Sequence, residues 1–235
     1  MREQRRGQEV LETPRAAGLA GVVFALLLAA AIVLLRLAIP EATGTTTAPA
    51  FTDSGQRSAL RTALALVPFA GIFFLWFVGA VRAHVGDVED RFLATVFLGS
   101  GLVFTAMMFG AAAAASSVLA VTHTDGVAPS PAAWDFGRHF AHTLLKEYAM
   151  RMAAVFVCSM SVMGRRLGVL PRPLTILGFL TAVVLLLVAP YVPWMELVFP
   201  AWSLVLSVHI LLASGRPGRL PEHVAPKPSP RSHRS

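Results

Sequence analysis

Five charged residues, Arg36, Arg61, Glu147, Arg151 and Glu196, stand inside or at the edges of long apolar stretches. A charge in that setting is costly, and it is a functional candidate by default. Glu147 and Arg151 are four residues apart with the acid first, the order that favours an ion pair along one helix face. Arg36 closes one apolar run, Arg61 opens the next, and Glu196 lies less than one turn into the last. Pro68 and Pro200 fall a little deeper in two of the same runs, where a broken helix would free backbone carbonyls. Together these residues predict a polar vestibule that binds or passes a small solute or lipid. A ring of interfacial ion pairs pinning the helix ends is the plainer reading of the same five.

Other chemistry-bearing residues give weaker patterns. His139 and His142 are three apart, near His123, Asp125 and Asp135, and such a group resembles a zinc-binding set. His-x-x-His alone carries little information, so no metal site is expected. His209 is isolated near the end of the last apolar run, and haem would need a facing histidine at the same depth. His84 lies at the membrane edge instead, so no cofactor is expected. Cys158 is the one cysteine, which excludes an intramolecular disulfide and leaves a small, buried, apolar role.

Two enzyme motifs are approached and missed. Lys146-Glu147-Tyr148-Ala149-Met150-Arg151 is similar to part of the Glu-Glu-x-x-x-Arg motif of the CAAX-type intramembrane proteases. Lys146 replaces its first glutamate, and the later histidine motifs do not appear. Gly99-Ser100-Gly101, with His209 elsewhere, is similar to the serine–histidine pair of rhomboid proteases, but Leu98 stands where that family has a glycine. Neither supplies a catalytic set, and no catalytic residue is assigned. There is no Walker motif, dinucleotide fingerprint or His-Glu-x-x-His zinc motif.

The elements that must position these residues follow from composition. Of the 235 residues, 55% are hydrophobic and 14% charged, against about 25% charged in soluble domains. The mean hydropathy is +0.65. Apolar runs reach the length of about 20 residues that crosses a bilayer. They predict an all-α, polytopic membrane bundle with six transmembrane helices over 17–39, 62–81, 92–121, 146–164, 174–188 and 194–213. Residues 40–58 and 122–137 are expected as loops, 1–16 as a polar cytoplasmic segment, and 214–235 as a disordered basic cytoplasmic tail. The first run exceeds the 7–15 residues of a signal-peptide core and contains Arg36, so an uncleaved span is expected.

The formal charge of +7 sets orientation. With both termini inside, fourteen of the 20 basic residues are cytoplasmic, and Arg36, Arg57, Arg61, Arg138, Lys146 and Arg151 remain outside. No basic helix face with interleaved aromatics is present, so nucleic acid is not an expected partner. The expected partners are the bilayer, with anionic lipids at the basic tail. Tyr191, Trp194 and Trp202 read as interfacial anchors. Small residues at four-residue spacing, Gly21-Ala25-Ala29 and Ala106-Gly110-Ala114, read as packing seams, with a homo-oligomer or membrane-protein partner as the alternative.

The spans and the tight Arg165-Arg166 and Pro171-Arg172-Pro173 turn resemble the uncharacterised six-helix integral membrane proteins of actinobacteria. That resemblance implies a bacterial plasma-membrane, multi-pass location and supplies no activity. Three function classes stay open: a solute- or lipid-binding membrane protein, a structural or accessory membrane subunit, and an intramembrane enzyme using Glu147, Glu196 or His209.

Overall fold

A backbone inside a bilayer must satisfy its own hydrogen bonds, and a helix does so within one segment. The computed structural model describes residues 2–38, 54–85, 91–121, 131–189 and 191–214, which are helices and short turns with no strand among them. The helices are α1 (Arg2–Ala38), α2 (Ser54–Val85), α3 (Arg91–Val121), α4 (Pro131–Thr143), α5 (Met150–Arg166), α6 (Arg172–Leu187) and α7 (Val198–Ser214). A π-turn over Leu144–Ala149 joins α4 to α5 without a break, and a 3-10 turn over Met195–Leu197 leads into α7. The chain is therefore the all-helical bundle its composition predicts.

Among the described residues four helices are long and apolar enough to cross a membrane, over Arg15–Leu37, Gly55–Ala83, Arg91–Ser117 and Met195–Ser214. At 1.5 Å per residue α6 is about 24 Å long, short of a hydrocarbon core of about 30 Å. The α5 segment is diluted by Arg151, Arg165 and Arg166. The expected tail beyond Ser214 and most of the 40–58 loop lie outside the described residues.

α1 and α7 run antiparallel. Arg36 at one end of α1 meets Glu196 just before α7, whereas Gly18 near the other end packs against Leu211 at the close of α7. α1 lies against α2 and α7, α3 against α2 and α5, and α5 against α6. Glycines set two of the close approaches. A Cβ on Gly21 would overlap Ser207 and reach within 2.9 Å of Phe77, and a Cβ on Gly178 would overlap Ser161 and lie 3.2 Å from the Trp202 indole nitrogen. Gly21 and Ala25 are both buried in this packing. Of the second stripe, Gly110 faces Leu144 while Ala106 is exposed.

The centre of the bundle is a knot of phenylalanines contributed by five helices. Phe74 lies 4.6 Å from Phe24, 5.1 Å from Phe104 and 5.0 Å from Phe156, centroid to centroid. Phe104 lies a further 5.0 Å from Phe199. All five rings are fully buried, and tilted or edge-on pairs like these add about 0.5–1.5 kcal/mol each beyond area burial.

Four local expectations are corrected. The second half of the 122–137 loop is helix: α4 starts at Pro131, and proline is suited to a first turn because its missing N–H has no helical acceptor there. The 40–58 loop likewise gives way to helix from Ser54. Pro200 breaks nothing, because α7 begins only at Val198 and the proline falls in its first turn. Trp202 is not an interfacial anchor; it is 2% exposed and fills the space left by Gly178. Tyr191 and Trp194 are exposed.

Candidate functional site

A cavity of about 210 Å³ opens at the end of the bundle that carries Glu196. Its walls come from α1 (Leu28, Ala31, Ile32, Leu35), α2 (Leu60, Ala63, Leu64, Val67) and α3 (Met108, Ala111, Ala112, Ala115), with Ala141 and Leu145 from α4 and the π-turn. These positions recur every three or four residues, so one face of each helix turns inward. Pro68, one residue beyond Val67, takes away the amide that the carbonyl of Leu64 would otherwise accept. α2 nevertheless continues as helix to Val85.

The polar end of the cavity gathers Arg36, Arg138, His142, Lys146 and Glu196. Glu196 is 3% exposed, and a carboxylate so buried keeps its charge only when paired. Arg36 Nη2 donates to both of its oxygens, at 3.1 Å to Oε1 and 3.0 Å to Oε2. Lys146 Nζ approaches Oε1 to 3.6 Å, an ion pair too long for a hydrogen bond. The Arg36 guanidinium also lies 5.7 Å from the centre of the Trp194 ring, within cation–π range. Trp194 adopts a left-handed backbone with φ 71°, costly for a bulky residue, and the 3-10 turn carrying Glu196 follows directly.

The π-turn decides which residues of the Leu144–Ala149 segment face inward. Lys146 is buried against Glu196, while Glu147 points out, half exposed, and pairs with Arg151 on its own helix. Arg151 also donates to the backbone carbonyl of Glu147 at 2.6 Å. Of the five sequence-derived candidates, the structure brings Arg36 and Glu196 together in the cavity. It joins Glu147 and Arg151 to each other outside it, and leaves Arg61 exposed and outside its lining.

His142 stands at the cavity edge, ahead of the long apolar segments. Its pKa is lowered, first because the apolar surroundings withhold water from the charged ring and then because Lys146 lies close. Among the described residues no three His, Cys, Asp or Glu side chains form a metal-ligating group. His139 is exposed, and His123 and Asp125 lie outside the described residues.

Arg138, His142 and Lys146 were absent from the vestibule expected from sequence. The signal that would have found them is the spacing Arg138, Ala141, His142, Leu145, which is one face of a helix. The fourth span expected from sequence starts only at Lys146 and the preceding loop ends at residue 137, which leaves this face outside the vestibule. No family model, curated protein or solved structure matches the chain.

Proposed function

We propose that the protein is a plasma-membrane binding protein for a molecule with an apolar chain, which it holds in the cavity between α1, α2, α3 and the α4–α5 junction. The observation carrying this reading is the shape of the cavity: about 210 Å³, aliphatic for most of its depth, polar at one end. A cavity of about 150 Å³ already takes benzene, so the space suits a segment of an acyl chain. Binding is favoured over passage because the phenylalanine knot of Phe24, Phe74, Phe104, Phe156 and Phe199 fills the bundle below the cavity floor.

The setting is a six-span topology, with α5 and α6 completing the membrane domain beside the four longer helices. Both termini are cytoplasmic and the cavity is on the outer side, as the arginine distribution favours. The resemblance to six-helix actinobacterial membrane proteins fits a bacterial plasma membrane.

Binding of dodecanol to the protein in nanodiscs of zwitterionic lipid tests the reading. Saturable binding that raises the thermal midpoint is expected, and Ala111→Phe, which fills the cavity, should abolish it while the variant remains folded. Absence of saturable binding by any single-chain amphiphile, or undiminished binding by Ala111→Phe, would overturn the proposal.

A further inference from the structure

We infer that the molecule held in this cavity carries an anionic group, a carboxylate or a phosphate monoester, seated against Lys146 at its polar end. The inference rests on the chain-binding reading above and adds the chemistry of the head. Among the described lining residues two permanent cations, Arg36 and Lys146, share one carboxylate, Glu196. Arg36 already occupies both oxygens of that carboxylate.

Lys146 is left the poorer partner. Its side chain is about nine-tenths buried, and its ion pair to Glu196 spans 3.6 Å. Among the described residues its ammonium makes no hydrogen bond, although it has three protons to donate. A buried ammonium short of acceptors is an unfavourable state that an incoming anion relieves. The apolar walls begin where the cations end, so an anion attached to a chain satisfies both halves of the site. A free anion would leave the aliphatic walls empty, and an uncharged chain would leave the ammonium as it is. Glu196 keeps Arg36 occupied and blocks a second anion, so the site fits one head group rather than several.

The test compares dodecanoate, dodecyl phosphate, dodecanol and dodecyltrimethylammonium on the wild-type protein in zwitterionic nanodiscs, by calorimetry, with acetate and inorganic phosphate as chainless probes. The two anionic amphiphiles should bind about tenfold tighter than dodecanol, the scale of one charge-assisted hydrogen bond, and the cationic one more weakly still. Lys146→Gln should narrow the gap between dodecanoate and dodecanol. Equal binding of dodecanol and dodecanoate to the wild type would overturn this inference and leave the chain-binding reading intact. Acetate or inorganic phosphate binding as tightly as its chain-bearing counterpart would also overturn it, in favour of a small free anion. Failure of all four amphiphiles would remove the chain-binding reading itself, and this inference with it.

Discussion

Arg36 and Glu196, 160 positions apart, meet through one guanidinium nitrogen placed between both carboxylate oxygens. The contact ties the far end of α1 to the turn that starts α7, and it is made where Glu196 is almost wholly withdrawn from solvent. Removing Arg36 leaves the carboxylate with only the more distant Lys146. Arg36→Ala should therefore destabilise the fold by about 3 kcal/mol, the scale for a buried pair deprived of one member. A double-mutant cycle with Glu196→Ala, followed by equilibrium unfolding in detergent, should return a coupling energy above about 1 kcal/mol.

The Glu147–Arg151 pair should behave oppositely. Its side chains are 40% and 37% exposed, so solvent screens the attraction and the pair contributes less than about 0.5 kcal/mol. Glu147→Gln is expected to leave both the unfolding midpoint and ligand binding within error of the wild type. A loss of ligand binding in that variant would place Glu147 in the site after all.

His142 predicts a pH dependence with a definite sign. Its folded pKa lies below the ordinary 6.5, so between the two values the unfolded chain binds a proton that the folded chain refuses. Stability contributed by His142 is then complete above about pH 6.5 and falls as the pH drops through that window. The groups acting on it are Lys146 from the same helical run, Glu196 from the 3-10 turn, Arg36 from α1 and His139 from α4. Comparing thermal midpoints from pH 7.5 to 5 should show a smaller acid loss in His142→Gln than in the wild type.

Phe74 touches four other buried rings, Phe24, Phe104, Phe156 and Phe199. Phe74→Ala should cost about 3–5 kcal/mol, the usual range for emptying an aromatic core position. The same change enlarges the space below the cavity. Longer single-chain amphiphiles should gain affinity relative to dodecanol in this variant, measured by the same calorimetry.

The charges inside apolar runs were legible without coordinates. Arg36 and Glu196 stood out because nothing else explains ionised side chains at those positions, and the four-residue spacing of Glu147 and Arg151 fixed their pairing. Lys146 was passed over because depth along a regular helix cannot reveal that a π-turn rotates it inward and Glu147 outward. Arg138 and His142 were missed for a related reason. Both precede the span expected to begin at Lys146, so no depth or face was assigned to them, whereas α4 runs from Pro131 straight into the π-turn. Trp202 misled because residue type suggested a membrane-surface anchor, and only the facing Gly178 on α6 reveals the space it fills.

The continuous run from Pro131 to Arg166 carries its π-turn between the part that lines the mouth of the cavity and the part that builds the bundle core. A helix turns about 100° per residue, so the extra width of that turn acts as an angular offset between the two halves. Deleting one residue between Leu144 and Lys146 would let the segment relax into uninterrupted α-helix. Arg138 and His142 would then swing by about 100° about the axis while Phe156 and its neighbours stayed in place. The charge at the cavity mouth is thus set by the phase of a helix as much as by the identity of its residues, and a length change there would turn Arg138 and His142 away from the site without altering either of them.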